Sequence, residues 1–245
     1  MKIANGVEML EVSSNVMGSR RVINPTLIYD KDISILVDTG YPGQLPQIRQ
    51  AIEDAGMSFD KLNMVILTHH DIDHIGSISS IIKELPNSVK VLAHREEEAY
   101  LNGIKTPIKL AQLEANFNSL SDDMKIIYEK LKAGFKGCKT DVNKTLIDGE
   151  ELLYCGGIEV IHTPGHTLGH ICLYLKQLKI LIAGDILAVE DGMLVKAPDF
   201  INFDADLNIK SLKKLTEYDI ETVICYHGGL YKNNANKYIA ELAKK

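Results

Sequence analysis

The stretch Thr68-His69-His70-Asp71-Ile72-Asp73-His74 limits the possible folds and functions of this chain more than any other. Three histidines and two aspartates fall within six residues, flanked by two apolar patterns. Upstream, Met64-Val65-Ile66-Leu67 is a short run with β-branched members and reads as a buried strand. Downstream, Ile75, Ile78, Ile81, Ile82 and Leu85 recur at helical spacing until Pro86 ends the pattern. The cluster therefore lies on a loop between a strand and a helix. Imidazoles and carboxylates at this density are costly on a packed loop unless a positive centre collects them. A divalent metal ion does that, with neutral His nitrogens and ionised carboxylates as ligands.

Residues of the same type recur at three further strand ends. His166 stands in Thr163-Pro164-Gly165-His166-Thr167-Leu168-Gly169-His170, after the strand-like Ile158-Glu159-Val160-Ile161. Asp185 follows Ile180-Leu181-Ile182-Ala183-Gly184, and His227 follows Thr222-Val223-Ile224-Cys225-Tyr226. Four such loops converge if the strands end on one rim of a sheet, where α/β folds place their chemistry. The ordered set resembles the metallo-β-lactamase-fold hydrolases, and among them the branch of glyoxalase II and the acyl-homoserine lactonases. Their signature is His-x-His-x-Asp-His, then Gly-His-Thr, then Gly-Asp, then a late His. It is matched here at His69, Asp73, His74, His166, Asp185 and His227, and departs at Asp71, where the family has its second His. The resemblance runs from Asp38 to His227.

The resemblance implies an α/β fold, a four-layer αββα sandwich of two packed mixed sheets flanked by helices. It implies two divalent metal ions, zinc first, with iron or manganese as alternatives. His69, Asp71 and His166 would hold one ion, Asp73, His74 and His227 the other, and Asp185 would bridge them. A hydroxide between the ions would cleave an ester, lactone or thioester of a small molecule, with Asp73 passing the proton to the leaving group. Asp38, in Asp38-Thr39-Gly40, and His170 would support ligands by hydrogen bonds from behind. His70 would be the member of the loop that binds no metal. A diiron redox enzyme of the same fold, which carries a carboxylate at the Asp71 position, is the competing reading; a metal-binding member without catalysis is a third. The shorter Asp and the lack of an appended flavin domain weigh against the redox reading.

Composition bears on partners. The chain has 245 residues, 45% hydrophobic and 24% charged, with a net charge of −6. No basic block stands out, which argues against nucleic acid as substrate. Cys138, Cys155, Cys172 and Cys225 form no Cys-x-x-Cys pair, and three of them lie in or beside apolar strands as small buried hydrophobes. No signal peptide and no apolar run long enough to span a membrane is legible, so the expected location is the cytoplasm.

The rest of the chain is expected to form one domain, residues 1–245, with a helical insertion at about 95–141. In that insertion Arg95–Leu101, Lys109–Asn118 and Asp122–Ala133 read as helices, the last capped by Ser121 and ended by Gly134. It contains no His, and is expected to shape the substrate cleft or a homodimer contact and not the metal site. Lys144–Ile147 and Glu151–Tyr154, joined by Asp148-Gly149, read as a hairpin.

Overall fold

The computed structural model describes residues 1–16, 18–86 and 89–244. Its strands alternate between two destinations, as a pleated chain with both faces covered must. In Ser34–Val37, Leu36 faces one apolar cluster while Ile35 and Val37 face another. In Met64–Leu67, Val65 and Leu67 take the first side, Met64 and Ile66 the second. Ile171–Leu175 repeats this in the other half, with Ile171, Leu173 and Leu175 inward and Cys172 and Tyr174 outward.

These faces build the expected αββα order. Seven strands form the first sheet, in the order Lys2–Ala4, Val7–Met9, Thr26–Tyr29, Ser34–Val37, Met64–Leu67, Lys90–His94, Lys144–Leu146. Pairing is antiparallel up to Ser34–Val37 and parallel beyond it. Six strands form the second, in the order Glu151–Leu152, Ile158–His162, Ile171–Leu175, Ile180–Ile182, Thr222–Cys225, Gly229–Tyr231. Only Ile180–Ile182 with Thr222–Cys225 is a parallel pair there. The sheets meet through Ile28, Ile35, Ile66 and Leu92 of the first and Val160, Leu173, Ile182 and Ile224 of the second. Helices Leu45–Asp54, Ile78–Glu84 and Asp122–Gly137 cover the outer face of the first sheet, and Ala205–Leu215 and Ala235–Leu242 that of the second.

Three local expectations change. The segments around Asp148-Gly149 are not a hairpin. Lys144–Leu146 pairs with Lys90–His94 in the first sheet, whereas Glu151–Leu152 pairs with Ile158–His162 in the second. The turn between them carries the chain from one sheet to the other. The helix after the His-rich loop is broken into Ile72–Ile75 and Ile78–Glu84. At the break, a Cβ on Gly76 would lie 2.2 Å from the backbone of Tyr41 and Pro42, so glycine is what lets that loop pass. Gly134 does not end its helix, which continues to Gly137. It faces Ile72, whose Cδ1 would be 3.2 Å from an added Cβ, and the missing side chain lets the helix lie against the loop.

Candidate metal centre

The four loops do converge. His69, Asp71, His166 and Asp185 form one group and Asp73, His74 and His227 a second; within each group the possible ligand atoms lie within 4.8 Å of one another. Asp185 stands between the groups. Its Oδ1 is 3.1 Å from His74 Nε2, and its Oδ2 is 3.4 Å from His227 Nε2, 3.6 Å from His166 Nε2 and 3.9 Å from His69 Nε2. Asp73 Oδ2 lies 3.3 Å from His227 Nε2. His69, His74 and His166 are buried, while His227 is 38% exposed on its side chain and forms the mouth of the site.

Hydrogen bonds behind the site fix which nitrogen His69, His74 and His166 present. Asp38 Oδ2 lies 2.8 Å from His74 Nδ1; a carboxylate only accepts, so the Nδ1 hydrogen points there and Nε2 faces the site. Thr68 donates its hydroxyl hydrogen to Asp38 and is left as acceptor for His69 Nδ1 at 3.0 Å. Asn202 Oδ1 accepts from His166 Nδ1 at 3.1 Å. The Asp185 amide donates to His170 Nε2 at 3.0 Å, which turns the other nitrogen of His170 to Thr163. Asp38 and His170 thus hydrogen-bond to His74 and to the Asp185 amide respectively. Asp38 has a left-handed backbone, φ 63°, a conformation that a non-glycine residue adopts only when its surroundings impose it. Gly184 leaves room for the same network, since a Cβ there would come within 2.5 Å of His170 Nε2.

These bonds leave His69 Nε2, His74 Nε2 and Asp185 Oδ1 buried without a hydrogen-bond partner. Buried polar atoms are ordinarily satisfied, and unpartnered atoms on side chains of both groups fit cations held there. The electrostatics agree. Burial works against a charged His227, but Asp185 and Asp73 outweigh it and push its pKa up to about 10. Burial likewise opposes charge on His74, and Asp185, Asp38 and Asp73 together raise it well above the usual range. Burial lowers His69 instead, helped by the positive charge of His74. The carboxylates thus gather negative charge at this point, the balance that a bound cation would offset.

Three residues of the site are not evident in the sequence. Glu97, buried, pairs with His70 and accepts from the Thr167 hydroxyl and the Gly169 amide, each at 2.7 Å, so it ties the His69–His74 loop to the His166 loop. In the sequence it belongs to the run Arg95-Glu96-Glu97-Glu98, which looks like a solvated helix start. His70 is accordingly a structural member of the loop, stacked on Tyr100 with ring centroids 4.3 Å apart. Asn202 lies outside every motif. Lys109 comes from the helical segment expected to touch only substrate, and its ammonium pairs with Asp71 and sits 3.1 Å from His166 Nε2. Burial pushes Asp71 up, yet the Lys109 ammonium, with the neighbouring His166 and His69, holds it well below the usual carboxylate range.

Residues 18–227 match the family described as the metallo-beta-lactamase superfamily. The chain belongs to that superfamily. A probable metallo-hydrolase of Bacillus subtilis, YflN, is 27% identical over 228 residues, which span 86% of this chain and 81% of that protein. The hydroxyacylglutathione hydrolase of Buchnera aphidicola subsp. Schizaphis graminum is 28% identical over 193 residues, 78% of this chain and 58% of the relative. The crystal structure of a metallo-beta-lactamase family protein from Thermus thermophilus superposes with a TM-score of 0.74 at 22% identity, covering 99% of this chain and 80% of that one. That likeness concerns the fold. Members of the superfamily are mostly metal-dependent hydrolases, and the His/Asp cluster of this member is a possible metal site. Among the described residues no helix is long and apolar enough to cross a membrane.

Proposed function

We propose that this chain is a cytoplasmic hydrolase of a small-molecule ester, lactone or thioester, working with two divalent ions, zinc first, one in each His/Asp group. The observation that carries the reading is Asp185, whose Oδ2 lies between His227 of one group and His166 and His69 of the other, while its Oδ1 faces His74 and has no hydrogen-bond partner. A thioester is favoured within that range by the likeness to hydroxyacylglutathione hydrolases, whose name denotes cleavage of an acylglutathione. Metal ions there would polarise an acyl carbonyl and make water nucleophilic near neutral pH.

The chain's own residues do the remainder. Asp38, Thr68, Asn202 and His170 hold the ligands in one orientation, so little reorganisation accompanies binding. Asp73 is ionised, because His74 and His227 outweigh the effect of its burial. In this reading Asp73 passes a proton to the leaving oxygen or sulfur. Residues 1–245 act as one unit, with the helices between 95 and 141 walling the cleft. Tyr100, Ile108, Ala111 and Phe203 line an adjoining groove suited to an apolar or amphipathic part of a substrate.

The test is a screen of purified, metal-replete protein against esters, lactones and glutathione thioesters, run alongside metal analysis. Turnover of one of these classes that a chelator abolishes is the expected result. Oxygen or nitric-oxide consumption by the iron-loaded protein, with no turnover of any such substrate, would overturn it in favour of redox chemistry.

A further inference from the structure

The two groups differ in one respect that the superfamily signature does not contain. Lys109 Nζ contacts Asp71 Oδ2 and lies 3.1 Å from His166 Nε2, and those two atoms are themselves 2.9 Å apart. His166 donates its Nδ1 hydrogen to Asn202, so Nε2 offers a lone pair toward a carboxylate oxygen. Two acceptors that close need a positive charge beside them, and the ammonium supplies it. It takes up the faces of Asp71 and His166 that a metal ion would use. No comparable side chain contacts the ligand atoms of Asp73, His74 or His227 among the described residues.

The position of Lys109 is fixed from outside the site. It lies in the first turn of helix Ile108–Ala115. His70 turns Nδ1 toward the Glu97 carboxylate and its Nε2 toward the Ile108 amide at 3.4 Å, which anchors the helix start beside the His-rich loop. With 37% of its side chain exposed, Lys109 has a way out to solvent.

We propose that Lys109 is the resident cation of the His69/Asp71/His166/Asp185 group, and that a metal ion enters this group only by displacing it. The groups then load in a fixed order, Asp73/His74/His227 first, and the second equivalent is the weaker. Asp71 and Lys109 act as a matched pair: the carboxylate that replaces the family's neutral His brings a counter-charge from a distant helix. The inference rests on the metal-hydrolase reading but does not need activity for its test.

The experiment uses the full chain and its Lys109→Met variant, each titrated with Zn²⁺ by calorimetry. In parallel, acetylation of Lys109 in the unsubstituted protein is followed by mass spectrometry at each loading. The expected result is a second equivalent at least about tenfold weaker than the first, tightened at least about tenfold by Lys109→Met. Lys109 should resist acetylation with zero or one equivalent and become reactive with two. Two equally tight equivalents unchanged by the substitution, or a Lys109 whose reactivity ignores the second equivalent, would overturn the proposal and leave the hydrolase reading standing. Absence of any Zn²⁺ binding by either protein would overturn both.

Discussion

The two His/Asp groups of the centre are built from the same residue types and share Asp185, yet their surroundings are opposite. Around Asp73, His74 and His227 the only charges in contact, among the described residues, are the site's own acids and imidazoles and the supporting Asp38. Around His69, Asp71 and His166 a lysine from another part of the chain has entered. A ligand count makes the groups equal, and only the charge balance around each tells them apart. A buried carboxylate without a partner is expensive, so substituting Asp for a neutral imidazole obliges the fold to find a cation. Lys109 is that cation whenever a metal ion is not.

The comparison is broken most severely by Asp185→Ala, which removes the one side chain common to both groups. Metal affinity should fall by about 100-fold or more in both groups and turnover should be lost. Calorimetry showing that one group keeps its affinity would mean that Asp185 serves only the other. Asp71→His sharpens the comparison. It restores a neutral ligand and deprives Lys109 of its anchor, so zinc affinity in the weaker group should rise by about tenfold and preference should move from manganese or iron toward zinc. An unchanged preference and an unchanged stoichiometry would show that Asp71 is no ligand.

The smallest effect concerns the fold beneath both groups. His94 is buried and stacks on His162 with ring centroids 4.0 Å apart. Burial, with a smaller contribution from His162, lowers its pKa from the usual 6.5 to about 4. The unfolded chain therefore takes up this proton first, and stability that is intact above 6.5 declines as the pH falls toward 4. The loss from this residue should be about 1–3 kcal/mol. His94→Gln should remove that portion of the acid sensitivity, read as the difference in urea midpoints between about pH 7 and about pH 4.5. An identical acid loss in the variant would place its origin among the metal ligands.

What the sequence disclosed and what it withheld follow from the range of each interaction. Strands such as Met64–Leu67 were legible because a short apolar run buried on both faces is a local signal, whereas their stacking into four layers followed from the family resemblance. The seven candidate positions that the structure brings together were legible because each lies on a loop that ends an apolar run. The crossing at Asp148-Gly149 was not, because two short β-prone segments joined by a turn look alike whether they pair with each other or with different sheets. Glu97, Asn202 and Lys109 escaped for a related reason. Their partners lie 27, 36 and 38 positions away respectively, and no local pattern separates them from solvated helix or loop residues. The Asp at position 71 was the one hint that a cation must be found, and it did not say where.

The turn at Asp148-Gly149 also has a bearing on how the protein is made. It separates the strand that completes the first sheet from the strand that opens the second. His69, Asp71, Asp73 and His74 lie before it, and His166, Asp185 and His227 after it. Synthesis from the N-terminus therefore makes four of the candidate ligands before the other three. Each candidate group draws on both halves, so an ion held by a whole group would be captured only after the sheets have docked. Metal bound at this seam would then favour the docked state over any in which the halves have parted.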